Sequence, residues 1–319
     1  MKPSVSVCCS FVILALLSIP GVSPADEIRV GTWKTPQTIQ PFFYAQFMPA
    51  DTDLRVFAFT NPADQKTALL AGSLDMCGTT LAHAIHSAAI GQPVVVVAAL
   101  CNKCSALVVQ KDGPIQGVAD LKGKKIGYVP GTMHEILLRE TLTRHGLSPE
   151  TDVQLTRVDF FDMGLALASG GIDAFLSGEP FPALALRAGL SAASSPTPYS
   201  TMSVGTINAA MLVTRKTRHA KSPERVSELV KAHALATRYL VRHPDRWLEK
   251  ASGFGTERAV LDAAAPNIEL AWEMDPAFVA RARALGARMQ ALKLIDRQPD
   301  YDTLFDLSFV QRVQQETAR

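Results

Sequence analysis

Residues 110–145 read QKDGPIQGVADLKGKKIGYVPGTMHEILLRETLTRH. The β-prone run 124–129 is closed by Pro130-Gly131-Thr132, and residues 133–144 then carry a helical pattern. A strand that ends in a glycine turn and opens onto a helix is one unit of a layered α/β sheet. Such a turn aims backbone N–H groups at whatever lies above the strand end. It is therefore either an ordinary strand-to-helix connection or a cradle for an anion or polar head group.

The same alternation continues on both sides. Upstream, strands are expected at 27–32, 54–59, 74–77 and 94–100, with helices at 38–47, from Asn61 to about 71, and onward to 90. Asn61 followed by Pro62 reads as an N-cap with proline at the first helical position. From Ser105 a second series begins: strands at 106–110, 124–129, 153–158, 172–176 and 209–214, a helical turn at 118–121 and a helix at 163–169. The Ser/Pro/Ala-rich stretch 191–198 reads as a loop or linker. From Pro223 the chain turns helical: 223–241, 245–252, 257–264, 276–292 and a last amphipathic piece near 304–313. This order predicts an α/β fold of two units, mostly parallel sheets flanked by helices, with a helical C-terminal part.

Composition narrows the function classes. The 319 residues are 47% hydrophobic and carry a formal net charge of only +2, which offers no concentrated basic face for nucleic acid. Beyond the first twenty-odd residues no apolar run is long enough to span a bilayer, so the chain is expected not to be membrane-embedded. Residues 1–25 read as a signal peptide: Lys2, an apolar core at 5–19, a break at Pro20-Gly21, and Ser23-Pro24-Ala25 before a mature start near Asp26. That predicts export to a periplasm or its equivalent. Cleavage removes Cys8 and Cys9 and leaves Cys77, Cys101 and Cys104. The CxxC at Cys101-Asn102-Lys103-Cys104 reads as a local disulfide, as two free thiols on a turn, or as half a zinc site.

In open α/β sheets ligands sit beyond the carboxyl ends of the strands. Here those ends carry Trp33 and Thr35, then Gly78-Thr79-Thr80, the cysteine turn, Gly131-Thr132 with His134, and Gly178-Glu179-Pro180. Hydroxyls and backbone amides dominate, with one aromatic, one imidazole and one carboxylate. That is a binding inventory without an evident catalytic pair, and no cofactor is expected.

The run VADLKGKKIGYVPGTMHEILLRETLTRHGL at 118–147, GGIDAFLSGEPFPALAL at 170–186 and KTALLAGSLDMCGTT at 66–80 resemble the solute-binding proteins of ABC importers. The resemblance is to the nitrate/sulfonate/bicarbonate type, which includes taurine and thiamine-precursor binders, and it covers roughly 28–190. It implies a two-lobe periplasmic-binding-protein fold of type II, with lobe 1 formed by 26–104 and 206–319 and lobe 2 by 105–205. It implies a monomer without catalysis that closes by hinge motion on an oxyanion, sulfonate or related small organic solute and delivers it to an ABC permease. Carried over residue by residue, Trp33, Thr35, Thr79, Thr80, Cys101, Thr132, His134 and Glu179 fall on the turns facing the cleft. Thr79, Thr80 and Thr132 would donate to an oxyanion or simply cap helices. Trp33 would wall the ligand or fill a core, and Glu179 would meet an amine or fix the hinge.

The chain departs from that family in its cysteines. Cys77, Cys101 and Cys104 on one rim with His134 opposite give an alternative reading, a soft-metal or metal-complex binder, with His83 and His86 as further ligands or surface residues. A second alternative is an enzyme like the thiamine-pyrimidine synthases, which share the fold and use clustered cysteines and histidines; the export signal argues against it.

Overall fold

A computed structural model describes residues 27–60, 62–111, 113–189, 191–193, 207–220 and 223–317. The signal-peptide reading, the Asn61 cap and most of the 191–198 linker reading lie outside them.

The first half of the chain lays down β1 (Ile28–Trp33), β2 (Leu54–Phe59), α1 (Pro62–Leu70), β3 (Met76–Thr80), α2 (Leu81–Ala89) and β4 (Val94–Lys103). The Val94-Val95-Val96-Val97 run is buried on both faces, as a central strand of β-branched residues should be. The middle supplies β5 (Ser105–Gln110), β6 (Lys125–Tyr128), α3 (Met133–Arg144), β7 (Gln154–Arg157), α4 (Met163–Ala168), β8 (Ala174–Gly178), α5 (Phe181–Arg187) and β9 (Ser191–Ala193). The rest gives β10 (Ala209–Thr214), α6 (Arg215–Ala220), α7 (Pro223–Arg242), α8 (Pro244–Ser252), α9 (Arg258–Ala264), β11 (Glu269–Leu270), α10 (Pro276–Ala291), α11 (Tyr301–Leu304) and α12 (Ser308–Thr317).

Two sheets result. One runs β11-β4-β10-β3-β1-β2, the other β7-β6-β8-β5-β9. β1 pairs in parallel with β2 and β3, and β6 with β7 and β8. β10 is wedged antiparallel between β3 and β4, so β1 to β4 all point one way. The chain crosses from the first sheet to the second at Cys104 and returns between β9 and β10. Helix α9 then lies back over the second unit, where Val260 and Ala264 pack on Ala183 of α5.

Local chemistry explains where elements differ from expectation. The helix expected at 38–47 is two short 3-10 pieces, Pro36–Thr38 and Gln40–Gln46, because Pro41 has no amide hydrogen to donate to the Gln37 carbonyl, as a continuous α-helix through 36–46 would need. The single C-terminal piece near 304–313 splits into α11 and α12. Asp300 caps the first, and Asp306 accepts from the Ser308 amide at the start of the second. Helix α7 buries Val226, Leu229, Val230, His233 and Leu240 on one stripe. His233 pins that stripe to the sheet. Its Nε2 lies 2.7 Å from the Ala99 carbonyl and 3.1 Å from that of Ala271, so Nε2 carries the proton. Its Nδ1 then accepts from the Tyr44 hydroxyl at 2.9 Å.

Candidate functional site

The carboxyl ends of β1, β2 and β8 and the segments following β6 and β7 converge on a slot between the two sheets. Trp33 and Phe59, partners in the parallel β1–β2 register, form one wall. Phe160, Phe161 and Phe181 form the other. Phe160 and Phe181 are stacked, 6.0 Å apart and 8° from parallel, and Phe161 meets Phe181 edge-on at 5.0 Å. Thr35, Gln37, Thr60, His134 and the backbone of Gly178 complete the lining. The cavity measures about 20 Å³, room for one water-sized molecule, so the walls nearly touch. Wider hollows of about 580 Å³ beside Arg238 and Trp272, and about 550 Å³ beside Phe42 and Tyr239, are open and lined from the first unit alone.

Two polar atoms of the slot stand out. Trp33 Nε1 and Gln37 Oε1 are buried without a hydrogen-bond partner among the described residues. A buried donor and a buried acceptor left unsatisfied each cost about 1–3 kcal/mol, a cost that a ligand bonding to them would remove. No Lys, Arg, Asp or Glu lines the slot among the described residues.

His134 enters from the first turn of α3. Its Nδ1 is 2.6 Å from the Ser105 hydroxyl, and its ring meets Phe160 edge-on at 5.5 Å. Burial pushes its pKa down to about 4, so the imidazole is neutral. Gly178 makes room for it, since a Cβ there would stand 2.9 Å from the His134 ring. Behind the slot, the Glu179 carboxylate accepts from the Ala183 amide at 3.2 Å and from Asn267 Nδ2 at 3.1 Å. Burial drives its pKa up to about 7, while those two hydrogen bonds pull the other way.

The turn that opened the sequence reading is already occupied by the chain's own anion. Gly131, at φ 72°, donates its N–H to Glu135 Oε2 at 2.7 Å, and Arg139 holds the other oxygen at 2.9 Å. Thr132 caps α3, its oxygen accepting from the Glu135 amide at 3.4 Å and its hydroxyl donating to the Val129 carbonyl at 2.7 Å. Thr80 likewise caps α2, accepting from the His83 amide at 3.2 Å. Thr79 is buried in β3, 3.5 Å from His83 Nδ1. Of the eight residues carried over, Trp33, Thr35 and His134 line the slot. Glu179 stands behind it, and Thr79, Thr80, Thr132 and Cys101 do not line it. Across the gap His83 reaches Gly131, where a Cβ would lie 3.0 Å from its Nε2.

The soft-metal set of Cys77, Cys101, Cys104 and His134 does not assemble. Among the described residues no group of three His, Cys, Asp or Glu side chains is placed to hold a metal ion. The physical reason is that each is committed elsewhere. Cys77 bonds Gln65 of α1, Cys101 Sγ donates to the Lys103 carbonyl at 3.2 Å, Cys104 Sγ accepts from Asn208 Nδ2 at 3.2 Å, and His134 bonds Ser105. None of the three cysteines is in a disulfide, and all are buried. Cys101 lies inside β4, not on a turn.

Sequence reasoning missed Gln37, Phe59, Thr60, Phe160, Phe161 and Phe181. The strand-end rule that found the others applies equally to the ends of β2 and β7, where Phe59-Thr60 and Phe160-Phe161 follow directly.

Two α/β units, one built from both ends of the chain and one inserted, with a slot at the facing strand ends, define the periplasmic-binding-protein architecture of type II. The alkanesulfonate-binding protein SsuA from Xanthomonas axonopodis pv. citri, solved bound to MOPS, superposes with a TM-score of 0.76 over 89% of this chain and 98% of that one, at 19% identity. The chain belongs to the NMT1/THI5-like family, which matches residues 43–247. A Brucella abortus (strain 2308) chain provisionally named as a binding protein is 35% identical over 167 residues, 50% of this chain and 51% of that one. The 4-amino-5-hydroxymethyl-2-methylpyrimidine phosphate synthase THI12 of Saccharomyces cerevisiae is 33% identical over 116 residues, 34% of each chain. This chain thus spans about half the length of its Brucella relative and a third of the yeast one. Among the described residues no helix is long and apolar enough to cross a membrane.

Proposed function

We propose that this chain is an exported solute-binding protein that captures an uncharged, flat, ring-bearing solute between two lobes and hands it to an ABC permease. The lobes divide as 26–104 with 206–319, and 105–205. The observation that carries the reading is the slot's lining: aromatic faces on both walls, a partnerless N–H on Trp33, a partnerless C=O on Gln37, and no charged side chain among the described residues. A nitrate or sulfonate entering such a slot would lose its hydration with no cation to offset the loss. A flat ring instead gains stacking and edge contacts on both sides. The Trp33 donor and Gln37 acceptor match a ring that carries an acceptor nitrogen and an amino group, an aminopyrimidine being the simplest case. The yeast relative is named for making a pyrimidine phosphate. The uncharged lining favours the ring without the phosphate.

A thermal-shift screen of aminopyrimidines, alkanesulfonates, nitrate and zinc tests this. Only the ring solutes are expected to raise the melting temperature, and a shift by sulfonate or nitrate alone contradicts the reading. Recovery of the solute unchanged after incubation checks that the chain binds without turnover.

A further inference from the structure

The crossing at Cys104 ties together more of the molecule than a connector needs to. The Cys104 carbonyl accepts the Glu179 amide at 2.7 Å. Its sulfur accepts from Asn208 Nδ2 at 3.2 Å, and Asn208 stands just ahead of β10 on the return crossing. The next residue, Ser105, holds His134 of the slot. The Ser105 carbonyl accepts Asn267 Nδ2 at 3.2 Å, and the same amide nitrogen lies 3.1 Å from Glu179. One thiol therefore joins both crossings between the sheets and sits one residue from a wall of the slot.

Its neighbour in this knot is Cys101. The two thiols are hydrogen-bonded, which holds Cys104 in its protonated form, and burial adds to that. Neither is in a disulfide, both are buried, and neither takes part in the slot's lining.

We propose that Cys101 and Cys104 are a reversible dithiol–disulfide pair built into the crossing, and that oxidation loosens the junction of the two lobes by drawing the Cys104 sulfur away from Asn208. The oxidant is a small-molecule disulfide. The thiolate of one cysteine attacks it and releases one thiol. The other cysteine attacks the resulting mixed disulfide and releases the second thiol. Two electrons and two protons leave the pair, and the incoming disulfide becomes two thiols. A bonded sulfur needs its partner at about 2.05 Å, well inside thiol hydrogen-bond distance. Whatever part of that approach the Cys104 sulfur makes lengthens its contact with Asn208. Because both sulfurs are buried and Cys104 is held as a thiol, exchange waits on the lobes parting. The consequence for solute affinity rests on the slot reading above; the bond and the loosening do not.

The test uses the full chain with glutathione disulfide, followed by alkylation, peptide mass spectrometry and amide hydrogen exchange. The peptide carrying Cys101 and Cys104 is expected to escape alkylation, while Cys77 remains alkylated. Exchange at Glu179 and at 207–208 is expected to quicken severalfold and to revert with dithiothreitol. Cys101→Ser, with Cys101→Ala as a second variant, should fold and show no such response. The proposal is overturned if the pair stays reduced under conditions that oxidise the urea-unfolded chain, or if the bond forms and exchange at Glu179 and 207–208 does not change. Hydrogen exchange needs no solute, so an error in the slot reading would leave this result standing and show instead as a failure of ring solutes to bind.

Discussion

At the scale of single residues, the hydroxyls divide from the slot. Thr132 spends both hydrogen-bonding directions on its own helix, so Thr132→Ala is expected to cost about 1 kcal/mol of stability and leave solute affinity unchanged. Trp33→Phe keeps an aromatic wall and deletes the partnerless N–H. Affinity for a ring solute should fall about fivefold, the worth of roughly one hydrogen bond near 1 kcal/mol, as read by calorimetry. Titration behaviour belongs to this scale as well. Glu179 has a folded pKa near 7, above its ordinary value, so the folded state binds the extra proton and this residue's contribution to stability falls as pH rises from about 4.5 to 7. His83, His134 and His233 sit near 4, below their ordinary value, so their contributions rise over pH 4 to 6.5. Three histidines outweigh one carboxyl, and stability should climb from pH 4.5 to 6.5 and level off toward 7.5. Urea melts across that range check it, with Glu179→Gln expected to steepen the climb.

At the scale of elements, the segment 110–145 shows what a sequence can and cannot say. The strand, the glycine turn and the helix are legible because periodicity and turn chemistry act locally: Gly131 takes the positive φ its turn requires, and Thr132 caps α3. The destination of the Gly131 N–H is not legible from the turn alone. Whether Glu135 reaches back to it depends on Arg139 holding the carboxylate in place. The same holds for the walls. Phe160, Phe161 and Phe181 look like ordinary core residues in the sequence, and they become a wall only when β7 and β8 lie on either side of β6. Antiparallel β10 was equally unreadable, since a strand does not carry its direction in its pattern. Gly178→Ala tests the packing at this scale. The added methyl meets the His134 ring, so the variant should displace His134 and lower ring-solute affinity at least tenfold while the far-ultraviolet circular dichroism is kept.

At the scale of the whole molecule, a buried ion pair ties the two units. Glu140 of α3 is buried between Arg144 of its own helix, at 2.8 Å, and Arg288 of α10 in the first unit, at 2.5 Å. Asn267 and the α9–α5 contact add further ties across the junction. Arg288→Ala leaves Glu140 to Arg144 alone and removes a tie between the units. The solute-free variant should therefore show a larger radius of gyration than the parent by small-angle scattering. The slot's walls, once they part, suit an uncharged ring. Titration calorimetry of the full chain with 4-amino-5-hydroxymethyl-2-methylpyrimidine and with methanesulfonate tests it most directly. Saturable binding of the pyrimidine, weakened by Trp33→Phe, with no heat of binding from methanesulfonate is expected; saturable methanesulfonate binding with none from the pyrimidine would overturn the ring reading.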